Sequence, residues 1–460
     1  MLVPDGRLTD EGLTNLLELT KCGTWIYAED DKTGAPKSLP SGIKCLALPS
    51  LEWCLDATNQ DRYPYNKTWD EGKHDVVFII HTSGTTGLPK PIYTVNGFLS
   101  AGNETAHSKK HWPRGIAFDA FMGKTMLSAC PPAWLGGIYT NIILPVTHNT
   151  IAIIAPANAT SYGPAVFKKL TKLNPVDGIF CPPHTIIQLY HDAETRALLK
   201  TLSYIVYVGT AMDQKIGNDL AQHTRLTTCI GSTENGPQHN INPNDRMLWH
   251  TQHFGPESGN RMERVEGSGV AGDGSDDYYE LIIERQHDSP NLWQRAFWNP
   301  AYIGIDRIET KELYAPVKDS DGQTRWAFHA RKDDLTKLSW LAKFHAQDIE
   351  ERIQQHPSVS SVFVGGEGRP SPYVIIELNA GVVNGESTDG LLDELYSSVV
   401  TDANKNDIKE IGIPKETVFL TKTDKPFKRT GKQTLRRKEI EKDYKEEIDR
   451  AYERLAKATA

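Results

Sequence analysis

Through the first half of the chain, short runs rich in β-branched and aromatic residues alternate with helix-like stretches. "TIAIIA" (150 to 155), "GIF" (178 to 180) and "YIVYVG" (204 to 209) read as strands, and "GPAVFKKLTKL" (163 to 173) reads as a helix between them. This alternation predicts βαβ units and a largely parallel sheet. From about residue 278 the texture changes: "YYELIIE" and "RWAFHA" read as strands separated by loops, followed by a helix at "AQDIEERIQQH" and strands at "VSSVFVGG" and "PYVIIEL". That order suits a small α+β domain. The expected fold class is therefore α/β, with a large amino-terminal domain of mainly parallel sheets over residues 1–332 and a small α+β carboxy-terminal domain over 333–460. In "LRRKEIEKDYKEEIDRAYERLAKA", Ile440, Tyr444, Ile448 and Tyr452 stand four apart, which predicts a terminal helix with one docking face.

At 460 residues the chain suits either about three domains of roughly 150 residues or one large α/β unit plus a smaller one. A net charge of -8 with 24% charged residues argues against a nucleic-acid surface, whose footprint is a basic patch. The six cysteines are scattered with no C-x-x-C pair, the pattern of reduced thiols. No stretch approaches the ~18 apolar residues of a membrane span, and "MLVPDGRLTD" lacks the regions of a signal peptide. "LAKATA" carries no peroxisomal or retention tripeptide. The cytoplasm is the expected compartment, with neither nucleic acid nor membrane as a partner.

Behind the apolar run "VVFII" (76 to 80) comes "HTSGTTGLPKP" (81 to 91). Gly84 and Gly87 open the backbone to a close-approaching ligand, Thr82, Ser83, Thr85 and Thr86 add hydroxyl donors, and Lys90 adds a charge. Such a loop is equipped to hold polyphosphate. The spacing excludes a P-loop NTPase, which needs G-x-x-x-x-G-K-[ST]. His239, His250 and His253 lack metal-ligand spacing.

"TSGTTGLPK" resembles the phosphate-binding signature of the adenylate-forming superfamily: acyl-CoA synthetases, peptide-synthetase adenylation domains and luciferases. Later segments repeat the likeness in the family's order. "IGSTENG" (230 to 236) is similar to [Y/F]-G-x-T-E, which implies Thr233 at the α-phosphate and Glu234 on Mg²⁺, with Ile230, Gly231 and Ser232 beside the nucleotide. "YVGTAM" (207 to 212) is similar to the stretch that lines adenine, with Gly209, Thr210 and Ala211 at its three positions. "TKEL" stands where the family has T-x-D-L, which implies Glu312 at the ribose. "ARKDDLTKL" stands where it has G-R-x-D-D, which implies Arg331 at the nucleotide and Asp333 as a hinge. "KRTGKQTLRR" resembles the terminal loop that carries the catalytic lysine, here Lys432. Taken singly, these charges would be solvated surface groups; their ordered occurrence carries the resemblance, which runs from about residue 15 to 437 and is nearest in wording to fungal synthetase-like adenylation domains.

The resemblance implies ATP-dependent activation of a carboxylic acid, with Mg²⁺, pyrophosphate release, a mobile carboxy-terminal domain, and transfer to CoA or to phosphopantetheine on a separate carrier protein. Trp134, in "PPAWLGGIY", stands where relatives often have His at the substrate mouth, and "CPPHTI" adds Pro183 and His184 to the acyl pocket. "WLGGIYTN" offers no Asp for an α-ammonium, which favours an aryl, keto or other acid without an α-amino group. The departures have physical consequences. Glu312 is one methylene longer than the family's Asp, Ile230 replaces an adenine-stacking aromatic, and "SWLAKF" lacks the glycine of the loop facing the thiol acceptor. The stretch before the phosphate loop is also shorter than in most relatives. The alternative expectation is thus a catalytically impaired adenylation domain serving as a nucleotide-binding or interaction module.

Overall fold

The computed structural model describes the chain except residues 7, 29–38, 57, 59–63, 83–87, 155–161, 210, 266–277, 288–292, 333–334, 340–342, 380–387, 403–411, 430–433 and 460. The described residues group into two compact units. The first comprises Met1–Arg261, Ile282–Glu309 and Pro316–Phe328, and the second Met262–Leu281, Thr310–Ala315 and His329–Ala460.

In chain order the early strands are β1 (Thr24–Ala28), β2 (Lys44–Leu48), β3 (Val76–Thr82), β4 (Lys90–Val95), β5 (Thr125–Ser128), β6 (Ile151–Ile154), β7 (Gly178–Cys181), β8 (Tyr204–Val208) and β9 (Arg225–Cys229). β5 to β9 form one sheet in the order β6-β5-β7-β8-β9, and every neighbour pair is parallel. Side chains alternate along each strand. Met126, Phe180 and Val206 therefore enter one apolar cluster, while Leu127, Ile179, Ile205 and Tyr207 enter another on the opposite face. The second cluster is closed by Phe167, Ile186, Leu199 and Ile216, from the helices Pro164–Leu173, Pro183–His191, Ala193–Thr201 and Gln214–Ala221. Burial on both faces is why the inner strands β7 and β8 read as short apolar runs.

β3 and β4 pair antiparallel, with Thr82 opposite Lys90 across the 83–87 segment. β1 and β2 form a separate parallel pair. Next come two short strands, β10 (Gly231–Ser232) and β11 (Gly236–Pro237), paired antiparallel. A second five-stranded sheet, in the order β12-β16-β15-β14-β13, contains β12 (Thr251–Gln252), β13 (Asn260–Arg264), β14 (Tyr279–Glu284), β15 (Arg307–Lys318) and β16 (Thr324–Arg331). β12 pairs antiparallel with β16, so this sheet departs from the parallel pattern.

In the second unit, β17 (Leu335–Lys337) pairs with β18 (Lys343–His345), and β19 (Val359–Gly365), β20 (Tyr373–Leu378) and β21 (Val418–Leu420) form a three-stranded sheet. The helix Ala346–Gln354 contributes Ile349 and Ile353 to the apolar cluster around Val362 and Val374. The expected terminal helix is two helices, Arg437–Asp443 and Lys445–Thr459. They part at Tyr444, with φ -97° and ψ 10°, whose hydroxyl accepts from the Lys422 amide at 3.0 Å and donates to the Lys425 carbonyl. Ile440, Tyr444 and Ile448 are buried in one cluster with Tyr452 packed against it, as the four-residue spacing predicts. No helix among the described residues is long and apolar enough to cross a membrane.

Candidate functional site

In an open parallel sheet, ligands meet the loops that leave the carboxyl ends of the strands. Several predicted residues gather there in the first unit. Trp134 follows β5, Pro183 and His184 follow β7, Gly209 and Ala211 follow β8, and Ile230 follows β9. These four strands are neighbours in the sheet, so four separate sequence segments share one edge. Gly209 has φ +105°, a conformation that favours glycine, and the space where a Cβ would stand is open.

β10 and β11 turn over Thr233, Glu234 and Asn235. Ser232 Oγ accepts from the Asn235 amide at 3.1 Å, closing the turn. A Cβ on Gly231 would lie 2.5 Å from the Gly236 carbonyl oxygen, so only glycine permits the two short strands to approach. Thr233 and Glu234 are half-buried at the tip. Glu234 forms no ion pair among the described residues, yet its backbone carbonyl accepts from Asn299 Nδ2 at 3.0 Å. Tyr302 lies close enough that the Glu234 charge, after burial, helps raise its phenol above the ordinary range.

A buried cation supports the turn from below. Arg295, 2% exposed, donates from Nη1 to the Pro237 carbonyl and to His239 Nε2, both at 3.1 Å, and from Nη2 to the Ala101 carbonyl at 2.9 Å. Burial, and then the Arg295 charge, hold His239 well below the usual imidazole range, so His239 accepts as the neutral ring. Arg295 and Asn299 come from "QRAFWNP", a segment in which the sequence reading named no functional residue. No periodic pattern marks it, and its role arises only from tertiary placement.

At the ends of the loop expected to hold phosphate, Thr82 ends β3 and Lys90 opens β4 with an exposed side chain. Asn15 Nδ2, on the helix Asp10–Leu19, donates to the Pro89 carbonyl at 3.2 Å and so fixes the approach to Lys90. Ser83, Gly84, Thr85, Thr86 and Gly87 lie outside the described residues, as does Thr210.

In the second unit, Glu312 stands half-buried on β15. Its carboxylate accepts from the Tyr314 hydroxyl at 3.0 Å, and its amide donates to Thr310 Oγ1 at 3.1 Å. Burial raises the Glu312 pKa, opposed by the Tyr314 hydrogen bond and the positive charge of Arg331. Lys311, just before it, has φ +62°, uncommon for a residue with a Cβ; its amide donates to Glu280 Oε1 at 3.1 Å. Arg331 is exposed at the end of β16. Asp333 and Lys432 lie outside the described residues. Arg429 and Leu435, which flank 430–433, face each other in an antiparallel bridge.

Residues 3–260 match the family model "AMP-binding enzyme", and residues 333–456 match "AMP-binding enzyme C-terminal domain". The carboxylic acid reductase of Neurospora crassa is 28% identical over 464 residues, covering 99% of this chain and 42% of the reductase. The isocyanide synthase-NRPS hybrid crmA of Aspergillus fumigatus is 29% identical over 464 residues, covering 96% of this chain and 27% of the hybrid. The chain thus spans less than half the length of these relatives. Among solved structures, ATP-bound MatB from Rhodopseudomonas palustris has a similar fold, with a TM-score of 0.66 at 14% identity, covering 96% of this chain and 83% of that one. A family match over more than half of the residues, with fungal relatives that align along nearly the whole length, establishes that this chain belongs to the AMP-binding enzymes of the adenylate-forming superfamily.

Proposed function

We propose that the protein activates a carboxylic acid with ATP, forming an acyl-adenylate and releasing pyrophosphate, and then passes the acyl group to a thiol of CoA or of phosphopantetheine on a carrier protein, with AMP as the leaving group. The observation that most supports this reading is the gathering of Trp134, Pro183, Gly209 and the 230–234 turn along one edge of the parallel sheet. In an AMP-binding enzyme, that edge is suited to hold an acid beside a nucleotide.

The chemistry follows from charge. The attacking carboxylate and the α-phosphate are both anions, so attack needs neutralised charge and an in-line arrangement. In this reading Thr82, Ser83, Gly84, Thr85, Thr86, Gly87 and Lys90 hold the leaving phosphates. Thr233 meets the α-phosphate, Glu312 accepts from the ribose hydroxyls, and Lys432 stabilises the charge that develops during attack. Glu234 suits Mg²⁺, an ion that takes one or two carboxylates and completes its shell with phosphates and water. When bound there, Mg²⁺ would supply further positive charge to the phosphates. Asp333 serves as the hinge through which Lys432 reaches and leaves the site. The acid carries no α-amino group, because "WLGGIYTN" presents no carboxylate to an ammonium.

The test is acid-dependent exchange of labelled pyrophosphate into ATP, with Mg²⁺ and a panel of aryl, keto and aliphatic acids. Exchange with one class and not with α-amino acids supports the reading. Folded protein that binds ATP but supports exchange with no acid rejects it, leaving a nucleotide-binding module.

A further inference from the structure

We propose that Asp5 is a positioning residue for the acid: it holds the indole of Trp134 in one orientation at the mouth of the acyl pocket and ties it to the strand that leads into the phosphate loop. The inference rests on the adenylation reading and adds to it a residue that none of the sequence motifs contains.

Residues 1 to 3 run alongside β3, with the Val3 amide donating to the Ile79 carbonyl at 2.9 Å and the Ile79 amide to the Met1 carbonyl at 2.7 Å. This contact delivers Asp5 to the end of β3, where its amide donates to His81 Nε2 at 3.0 Å. The Asp5 carboxylate then receives the Trp134 indole, Nε1 to Oδ2 at 2.9 Å, across 129 residues of sequence. Asp5, His81 and Trp134 are all half-buried, so the contact is shielded without being sealed from a ligand.

The backbone around Trp134 has little freedom. The Trp134 amide donates to the Pro131 carbonyl at 3.0 Å, and a Cβ on Gly137 would lie 2.0 Å from that same oxygen. What remains adjustable is the indole, a large flat group at the carboxyl end of β5. A hydrogen bond from its N–H to a carboxylate selects one of its staggered orientations. Asp5 therefore decides how much of the mouth the ring covers. Because the same residue bonds His81, one position before Thr82, the acid side and the phosphate side of the edge share a single support.

The experiment compares wild type, Asp5→Ala, Asp5→Asn, Trp134→Phe and the Asp5→Ala/Trp134→Phe double variant in pyrophosphate exchange, with the Trp134 indole N–H signal followed by ¹⁵N NMR. That signal is identified as the one lost in Trp134→Phe. Asp5→Ala should raise KM for the acid about tenfold, the scale of one charge-assisted hydrogen bond, while KM for ATP stays within about twofold. Asp5→Asn keeps an oxygen acceptor and should restore the acid KM. Trp134→Phe keeps a ring but loses the donor, so it should match Asp5→Ala, and the double variant should be no worse than either single one. The indole signal should shift in Asp5→Ala and hold in Asp5→Asn. Additive effects, equal changes in both KM values, or an indole signal unmoved by Asp5→Ala would overturn the inference. Absence of exchange in the wild type speaks against the adenylation reading instead, and the indole signal then decides the Asp5 contact alone.

Discussion

Replacing Arg295 by alanine should destabilise the first unit by about 3 to 5 kcal/mol, the cost of removing one partner from a buried charged network. Three acceptors lose their donor together: the carbonyls of Ala101 and Pro237 and the Nε2 of His239. Each orphaned group costs about 1 to 3 kcal/mol, and the vacated volume adds a cavity cost. Relief of the guanidinium's own desolvation offsets part of that sum; burial already lowers the Arg295 pKa. Arg295→Met fills the space and removes the charge, so its cost should be smaller by about 1 to 3 kcal/mol. Two compact units make a single two-state transition unsafe to assume. The reporter should therefore be local, and the ring cluster supplies one: Trp112 and Trp293 stack edge-on at 5.1 Å, and each lies within 6 Å of His239. Urea unfolding followed by tryptophan fluorescence should show an earlier midpoint at unchanged slope in Arg295→Ala. A loss below about 1 kcal/mol, or a greater loss in Arg295→Met than in Arg295→Ala, would refute the claim that the guanidinium bonds hold this region together.

Further outcomes are expected at Glu312, at Lys432 and at two glycines. Burial raises the Glu312 pKa, so its share of stability is full at acid pH and declines as pH rises through the folded value; Glu312→Gln should raise the melting temperature at neutral pH. The same variant should weaken ATP binding by more than about tenfold, and wild-type affinity should fall on acidification from above the ordinary glutamate range, both read by calorimetry. Lys432→Ala should lower kcat for exchange by about 10² to 10³ with a smaller change in ATP affinity, and the reverse pattern would reassign that lysine to ground-state binding. Gly217→Ala would drive a Cβ to 2.1 Å from Trp249 Cζ2 and should lower the melting temperature, whereas Gly390→Ala, with nothing within 4 Å, should raise it slightly.

The parallel sheet was legible through β7 and β8, whose burial on both faces leaves short apolar runs, through the β-branched residues of the edge strand β6, and through the 3.6-residue period of the helix between β6 and β7. The Gly231 to Glu234 turn was legible through its motif alone, and the structure adds why Gly231 tolerates no side chain. Arg295 and Asn299 were not legible: a buried polar residue is defined by partners brought in from elsewhere, and Ala101 stands 194 residues from Arg295. Asp5 escaped for the same reason. The left-handed backbone at Lys311 has no sequence signal either, because a lysine there resembles any exposed strand residue. At Tyr444 the four-residue spacing correctly grouped the apolar side chains, yet it carried no sign of the hydroxyl contacts made where the helix is divided.

The Asp5 to Trp134 contact also bears on how the chain reaches its fold. The two residues are 129 positions apart, and a ribosome adding about 5 to 20 residues per second needs roughly 6 to 26 s to span that distance. Once Ile79 has been made, the strip beside β3 can pair with it but cannot engage the indole until Trp134 follows. The β15 and β16 hairpin, by contrast, closes over a short turn in which the Asp319 amide meets the Gln323 carbonyl at 3.0 Å, and hairpins form within about 10 μs. The Asp5 contact therefore waits on synthesis of a distant segment where the hairpin waits only on its own turn, and a nascent chain stalled between Ile79 and Trp134 would hold the strip on β3 without the indole contact.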